Sequence, residues 1–281
     1  MFFAAYFIYA SAVAAIRPIV PEMAVLVITL NVGLLLWFFV FSWGDRFRPD
    51  SYLGRIRDWF PIPLILLAYR EMGWMYVPQP SQAFEYRWIR LDHMLLHNWG
   101  MKAAIESLGP VIPGVLEIAY LLVYAVPAIG VASLYLSGKR ERVDDYYSVM
   151  LFAVLTSYAM YPWFPSEPPR SVFWGIDLPA YESGLRRLNL LLVGNYGIHT
   201  SVFPSGHAAA AFGSALALVR FLPERKWVGR RQMILAVLIA VATVYGRYHY
   251  AIDTLAGIAL AIVGWLLTRL WRSQVTSSRT A

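Results

Sequence analysis

Long apolar runs alternate with short polar stretches along this chain of 281 residues. A helical membrane span needs about 20 largely apolar residues, with a range of roughly 17 to 25. Seven segments reach or approach that length, at residues 19–43, 60–77, 115–136, 147–163, 204–221, 233–249 and 252–271. Residues 2–16 form a shorter apolar run that is marginal for a span and lacks the features of a cleaved signal peptide. The pattern predicts an all-α, polytopic bundle of transmembrane helices.

Two polar loops each contain a segment that mixes apolar and charged positions at helical spacing. These segments cover residues 84–97 and 185–193, and the pattern is typical of helices that lie at a membrane surface. We find no soluble domain or long linker. We therefore expect an N-terminal membrane segment with a basic loop at 1–59, one membrane domain at 60–271 and a short tail at 272–281.

Composition and charge add the orientation of this bundle. Hydrophobic residues make up 59% of the chain and charged residues 15%, whereas about 25% of residues are charged in soluble domains. Arginine and lysine in short loops mark the cytoplasmic side. They follow every second predicted span, as Arg46, Arg48, Arg55, Arg57, Lys139, Arg140, Arg142, Arg220, Arg225, Lys226, Arg230, Arg231, Arg269, Arg272 and Arg279. The loops at 78–114 and 164–203 and the turn at 249–252 should then face outward, with the C-terminus inside.

Charge and cysteine content exclude several functions. The basic loops account for the net charge of +7. Nucleic-acid binding would need basic residues clustered on a soluble face with aromatic residues for stacking, and the sequence shows no such face. The chain contains no cysteine, which excludes a disulfide, a thiolate metal site and a cysteine nucleophile. We expect the bilayer as a partner and no bound nucleic acid.

Two stretches carry chemically active side chains at the borders of apolar spans. The first reads Val-Phe-Pro-Ser-Gly-His from Val202 to His207, and the second reads Arg-Tyr-His-Tyr-Ala-Ile-Asp from Arg247 to Asp253. The predicted topology brings both stretches to the outer face, together with a third segment from Tyr161 to Arg170. The sequence thus predicts one site built from three separated parts of the chain.

The residue types in these stretches suit phosphoryl chemistry. The Pro-Ser-Gly-His stretch resembles a helix start, where Gly206 lets a ligand approach amides that attract anions. Asp253 lies four residues after His249 and can orient its imidazole, while Arg170 and Arg247 could bind phosphoryl oxygens. Each motif alone also has a simpler interpretation: an ordinary span start, an interfacial histidine beside a capping aspartate, or an arginine at lipid headgroups.

Other polar residues are open to simpler interpretations. His93, His97 and His199 are expected at the membrane interface rather than in catalysis. Arg70 and Glu71 lie within the second predicted span, where ionisable groups face a partner or a cavity. Either a structural ion-pair network or a headgroup pocket would explain them, and Glu117 and Asp92 are open to the same two interpretations.

Together these motifs resemble the type-2 phosphatidic acid phosphatase superfamily of membrane lipid phosphatases and phosphotransferases. Its pattern is Lys-x6-Arg-Pro, then Pro-Ser-Gly-His, then Ser-Arg-x5-His-x3-Asp; the second motif and the His-x3-Asp half of the third are complete here. Trp163 replaces the lysine, Ser171 replaces the proline and Thr243 replaces the arginine of the third motif. The run Tyr161-Pro162 to Pro169, with His249-Tyr250-x-x-Asp253, is most similar to the inositol phosphorylceramide synthase branch.

The resemblance implies a role for each matching residue. His249 would attack phosphorus to form a phosphohistidine, Asp253 would orient it, and His207 would protonate the leaving group and then activate the acceptor. The phosphoryl oxygens would be held by Arg170, Ser205, Gly206 and Arg247. No metal and no other cofactor would be needed, and we see no carboxylate cluster suited to a metal.

The acceptor and the function class remain open at this stage. The implied substrate is a membrane lipid phosphate or phospholipid, with either water or a lipid alcohol as the acceptor. A membrane transporter, or a non-catalytic lipid-binding scaffold with an interfacial anion site, is the alternative. That alternative leaves the arrangement of His207, His249 and Asp253 unexplained, and orthovanadate inhibition would separate an enzyme from simple transport.

Overall fold

A computed structural model describes residues 1–45, 52–77, 82–198 and 202–280, with side chains described outside 41–45 and 271–280. Every regular element in this part of the chain is helical. The predictions made for Arg46, Arg48 and His199 concern residues outside these ranges. The α-helices are α1 Phe2–Ile16, α2 Pro21–Asp45, α3 Tyr52–Trp59, α4 Pro61–Trp74, α5 Ala83–His93, α6 Met101–Glu106, α7 Val111–Leu122, α8 Val126–Leu136, α9 Val143–Met160, α10 Pro169–Val172, α11 Gly184–Tyr196, α12 Gly206–Phe221, α13 Lys226–Tyr245 and α14 Ala251–Thr280.

Four stretches of the described chain are long and apolar enough to cross a membrane. They are Pro21–Val40, Val111–Leu136, Pro223–Tyr245 and Ala251–Leu270. The other three predicted spans are also helices, but α4 has 14 residues, α12 has 16, and α9 begins with two aspartates. The all-α prediction is confirmed for the described residues, and the four long apolar helices agree with a membrane bundle. The predicted count of seven spans exceeds what length and hydropathy support. Helices surrounded by other helices need not present a full apolar surface to lipid.

Helix α12 lies at the centre of the bundle and packs against α9, α13 and α14. Its first turns are rich in alanine, and Ala208, Ala209 and Ala211 are fully buried. Small residues let neighbouring backbones approach closely. At Gly213 an added Cβ would lie 3.0 Å from the Met150 Cα on α9. The apolar, small-residue composition of this segment therefore sets the tight packing that fixes His207 at its start.

The N-terminal helix α1 packs against helices of the following segment. The Tyr6 hydroxyl donates to the Ala68 carbonyl on α4 over 2.8 Å, and the Tyr9 hydroxyl donates to Ala159 on α9 over 2.5 Å. Phe7 and Ala10 belong to the same apolar core as residues of α4 and α9. Residues before and after the predicted boundary near residue 59 therefore share one apolar core. The domain limits themselves stay a prediction.

The polar loops of the described chain gather at two opposite ends of the bundle. At one end Arg140 pairs with Asp58 over 2.7 Å and Arg142 pairs with Glu224 over 2.8 Å. These contacts join three of the loops that the arginine and lysine pattern places on one side. At the other end the segment before α10 meets α5, where the Glu167 amide donates to the Glu85 carboxylate over 2.9 Å.

The two segments predicted as surface helices are helical. The first forms α5 and continues as a π-helical turn at Met94–Asn98. The second forms α11, whose N-cap Ser183 accepts a hydrogen bond from the Arg186 amide over 3.1 Å. An N-cap hydroxyl satisfies one of the unpaired amides at a helix start. Both helices lie at the end of the bundle that carries the chemically active residues.

Candidate functional site

The three stretches singled out in the sequence meet at one end of the bundle. The Ser205 amide, at the start of α12, donates to the Asp253 carbonyl in α14 over 2.9 Å. The Arg170 amide donates to the Arg247 carbonyl over 3.3 Å. Backbone hydrogen bonds thus join all three stretches, as the alternating topology predicts.

The two histidines of the motifs are in direct contact. Nδ1 of His207 lies 3.1 Å from Nε2 of His249, and Nδ1 of His249 lies 3.1 Å from the carbonyl oxygen of Val202. A carbonyl only accepts, so the hydrogen is assigned to Nδ1 of His249. In this tautomer Nε2 of His249 carries a free lone pair that faces His207. A nucleophilic imidazole requires such a lone pair.

His249 lies in the turn between α13 and α14 and is 4% exposed. Burial lowers its pKa well below the ordinary value, and the neighbouring His207 and Arg170 lower that pKa further. Removing a cation from water costs free energy, so a buried imidazole remains neutral at lower pH than a solvated one. The position therefore favours the neutral form, in which nitrogen can act as a nucleophile.

Asp253 lies beside His249 and also caps the helix that follows. Its Oδ2 is 3.5 Å from Nδ1 of His249 and accepts a hydrogen bond from the Tyr250 amide over 2.9 Å. An acidic side chain in the first helical turn that reaches back to the N-cap amide is half of a capping box. Asp253 thus orients the turn that carries His249, while the closer contact to Nδ1 comes from Val202.

Ser205 and Gly206 occupy the N-terminal cap of α12. Ser205 is fully buried, and its hydroxyl accepts from the Ala208 amide over 3.2 Å. The Gly206 amide donates to the Tyr161 hydroxyl over 3.3 Å. A Cβ at Gly206 would lie 2.5 Å from the Tyr158 ring, so only glycine fits here. Ser205 thus serves as the helix cap, and Gly206 allows close packing against Tyr158. Contact of these two residues with phosphoryl oxygens stays a prediction.

The two candidate phosphate-binding arginines have different surroundings. Arg170 Nη1 donates to the Tyr248 carbonyl over 3.3 Å, and, in addition to burial, the positive charge of Arg170 lowers the pKa of His249. Arg247 is fully buried and donates from Nη1 to Asp92 over 2.6 Å. Its Nε and Nη2 atoms are buried with no hydrogen-bond partner among the described residues. Arg170 is therefore the arginine placed beside the histidines, and phosphate binding by Arg247 stays a prediction.

Asp92 supports the turn between α13 and α14 and forms an ion pair with Arg247. Its Oδ2 accepts from Arg247, and its Oδ1 accepts from the Ala251 amide over 2.8 Å. It therefore clamps both ends of the turn that carries His249. Of the two interpretations given for Asp92, the structure therefore favours the structural ion pair.

A second network, which includes Glu117, supports the same turn from the other side. Glu117 pairs with Arg186 over 3.0 Å and accepts from the Tyr248 hydroxyl over 2.8 Å, and Arg186 Nη1 donates to the Gly246 carbonyl over 3.3 Å. The Asn189 amide also donates to Glu117 over 2.7 Å. The network positions Tyr248, whose backbone carbonyl accepts a hydrogen bond from Arg170.

Trp163 stands where the family pattern has lysine, and its side chain packs against residues of α1 and the segment that follows α1. The Trp163 indole N–H donates to the Tyr9 hydroxyl over 2.6 Å, and the Arg17 guanidinium lies 5.6 Å from its ring. The side chain therefore ties α1 to the end of α9. This position supplies no cation to the site.

A cavity of about 640 Å³ reaches His207 and Gly206 from inside the bundle. Most of its surface comes from apolar and aromatic side chains, with Arg70 among its polar residues. Arg70 Nη1 donates to the Tyr196 carbonyl over 3.2 Å. Arg70 lines the cavity, and its hydrogen bond goes to a backbone carbonyl on α11 rather than to a carboxylate. Its position therefore favours the headgroup pocket over the structural ion pair.

Comparison with known proteins gives one family. A family model described as the PAP2 superfamily matches residues 86–267, which include every catalytic and phosphate-binding candidate named above. No solved structure gives a significant match to the chain.

Three curated relatives match parts of the chain. A phosphoinositol dihydroceramide synthase of Bacteroides thetaiotaomicron is 28% identical over 191 residues, covering 62% of this chain and 58% of the relative. A PA-phosphatase related-family protein of Dictyostelium discoideum is 36% identical over 109 residues, covering 35% and 18%. A proposed undecaprenyl-diphosphatase of Escherichia coli K12, YbjG, is 36% identical over 72 residues, covering 25% and 35%. The matched regions thus cover less than two thirds of each relative.

Proposed function

The chain belongs to the PAP2 superfamily, and from that premise we propose that it is an integral membrane enzyme that transfers a phosphoryl or phospho-headgroup through a phosphohistidine on His249. The donor is a lipid phosphate or phospholipid. The acceptor is water, as in a lipid phosphatase, or a lipid alcohol, as in a synthase. The observation that carries the proposal is the pair His207 and His249, with Nε2 of His249 facing Nδ1 of His207 over 3.1 Å.

In the first step, the lone pair on Nε2 of His249 attacks phosphorus, and the bond from phosphorus to the leaving oxygen breaks. His207 in its protonated form donates a proton to that oxygen. Val202 accepts the Nδ1 hydrogen bond of His249, which stabilises the charge that develops on the ring. The present distance between the two rings leaves no room for phosphorus, so His207 turns aside when the substrate enters.

In the second step, neutral His207 takes a proton from water or from an alcohol, and the resulting oxygen nucleophile attacks the phosphohistidine. The bond between phosphorus and Nε2 breaks, and His249 regains its lone pair. Dividing one difficult displacement into two easier ones is the benefit of a covalent intermediate. The same residues serve both acceptors, so the acceptor is chosen by what reaches His207.

Arg170 binds the phosphoryl oxygens in this proposal, because its charge reaches His249 and arginine binds phosphate by paired hydrogen bonds. Ser205 and Gly206 shape the helix start beneath the phosphate. Arg247 contributes through the two donors that Asp92 leaves unpaired. No metal ion takes part in the proposed transfer, since imidazole and guanidinium groups supply the nucleophile, the proton and the positive charge.

The apolar cavity beside His207 suits a lipid chain, since most of its lining is aliphatic or aromatic. We further propose that α4, α9 and α12 cross the membrane with the four longer stretches, which gives seven spans. The basic loops and C-terminus then lie in the cytoplasm, and the site faces the extracytoplasmic side. A cysteine-labelling scan of single-cysteine variants in intact cells tests this orientation, since the native chain has none.

Thin-layer chromatography of reactions with labelled lipids tests the activity. The purified full-length chain is given phosphatidic acid, a prenyl diphosphate or phosphatidylinositol, each with and without ceramide or diacylglycerol. Free phosphate released without an acceptor identifies a phosphatase, and label on the added lipid identifies a transferase. Orthovanadate should inhibit either reaction. Absence of both products with every donor, in protein shown to be folded, would refute the proposal.

A further inference from the structure

A second cluster of two histidines and one aspartate lies outside the proposed catalytic site. His93 and His97 lie four residues apart on the helix formed by α5 and its π-helical turn, and Asp177 comes from the loop after α10. We propose that these three residues bind one divalent transition-metal ion of the zinc class. This proposal is independent of the phosphotransfer activity.

The π-helical turn aligns the two histidines. Residues 94–98 form i to i+5 hydrogen bonds, including that from the Trp99 amide to the Met94 carbonyl over 2.9 Å. The imidazole rings stack with their centroids 4.7 Å apart. Single π turns within helices are rare and concentrate at functional sites. Both rings therefore point to the same side of the helix, where Asp177 lies.

Asp177 has the burial and geometry of a ligand that lacks its cation. Its side chain is 3% exposed, and its Oδ2 has no hydrogen-bond partner among the described residues. Oδ1 contacts Nε2 of His97, and Oδ2 lies 3.5 Å from Nδ1 of His93. Its backbone holds a φ of 57°, in the left-handed region that side chains other than glycine seldom adopt. A buried carboxylate is costly unless it is paired or binds a metal.

The ligand atoms and their spacing select the class of metal. One nitrogen from each histidine and one carboxylate oxygen lie within 4.8 Å of one another. The two imidazoles are about half exposed, at 55% and 44%, so they can turn towards a common ion. Imidazole with one carboxylate favours zinc, cobalt or nickel over magnesium or calcium, which prefer oxygen ligands. Three protein ligands leave a coordination position for water.

The ion would link two loops that frame the catalytic turn. Asp92, adjacent to His93 in the chain, accepts from Arg247 and from the Ala251 amide. The helix that carries the two histidine ligands therefore also holds the turn with His249, through Asp92. Asp177 follows Arg170 by a few residues in the second loop. We assign the ion a structural role, because its three ligands include neither His207 nor His249.

Metal binding to the purified full-length chain tests the proposal. The protein carries an affinity tag without histidine, is treated with EDTA, and is titrated with Zn²⁺ by calorimetry and with Co²⁺ by visible absorption. We expect one ion per chain and a rise in Tm of about 5 °C at saturating Zn²⁺. His97→Ala and Asp177→Asn should each weaken binding at least 100-fold. Asp177→Asn keeps the size of the side chain, so its fold is expected to survive.

Two matched controls separate this site from others. Glu182 is an exposed carboxylate in the same loop region as Asp177, and Glu182→Gln should bind Zn²⁺ like the unmodified chain. His207→Ala should also retain binding, which excludes the catalytic histidines as the ligands. The proposal is overturned if the unmodified chain shows no saturable binding of one ion. The proposal is also overturned if His97→Ala and Asp177→Asn bind Zn²⁺ as tightly as the unmodified chain does.

Discussion

Two groups of the same composition, two histidines and one aspartate, lie at one end of this bundle in contrasting surroundings. His249 is 4% exposed, contacts His207, and has Val202 at its other nitrogen. His93 and His97 expose about half of their side chains and share an aspartate. Burial beside Arg170 favours a neutral nucleophile in the first group, whereas exposure leaves the second free to bind an ion. Residue types alone do not separate the two chemistries.

Removing the proposed nucleophile, His249, should have the largest effect. His249→Ala eliminates the nitrogen that attacks phosphorus, so we expect turnover to fall by about 10⁴-fold or more. Turnover is measured with the best donor from the lipid screen, and size-exclusion and thermal unfolding profiles establish folding. Retention of more than about one per cent of turnover would contradict the role given to His249.

The next effect concerns the arginine beside the histidines. Arg170→Ala removes the charge next to His249, and we expect kcat/KM to fall by about 10²- to 10³-fold. Arg187 is an exposed arginine on α11, and Arg187→Ala is the matched control, with kcat/KM expected to be unchanged. Equal losses in both variants would show a general effect of surface charge.

The pH dependence should reveal the burial of His249. Its pKa is lowered, first by burial, so the neutral nucleophile persists as the pH falls below the ordinary value of about 6.5. The acid limb of kcat/KM, which reports the free enzyme, should therefore lie below that value. A phosphodiester donor such as phosphatidylinositol keeps substrate titration out of this range. An acid limb above it would contradict a buried neutral imidazole.

Chelation should have the smallest effect on turnover. EDTA removes an ion from the exposed group, which should lower Tm by a few degrees while leaving turnover at 25 °C within about two-fold. Thermal scans and activity assays on the same sample, before and after Zn²⁺ is restored, make the comparison. Complete and Zn²⁺-reversible loss of turnover would show that the two groups do not act separately.

Much of the candidate site could be predicted from the sequence. The alternation of apolar spans and basic loops brings Pro204 to His207 and His249 to one end. The four-residue spacing of His249 and Asp253 predicts that they lie close together, although His249 lies in the turn before α14 rather than in a helix. These features depend on local periodicity. The count of seven spans stays a proposal, because α4 and α12 are shorter than the roughly 17 residues of the shortest usual span.

The missing parts depend on tertiary packing. Val202 contacts His249 through its carbonyl, a group that every residue carries, so no residue type reveals it. Glu117 and Arg186 pair across 69 residues of chain, and only the packing of α7 against α11 brings them together. The backbone turn at Arg247, with a φ of 62°, directs its side chain to Asp92. Spacing in the sequence carries none of this information.

Trapping the covalent intermediate tests the central claim most directly. The full-length chain is mixed with its best donor, labelled in the transferred phosphoryl group, quenched in alkali within milliseconds, digested and analysed by mass spectrometry. We predict that the label is on His249, at a stable nitrogen–phosphorus bond, and that it disappears when acceptor is added before the quench. Label on another residue, or full turnover with no labelled protein at any time, would contradict the account.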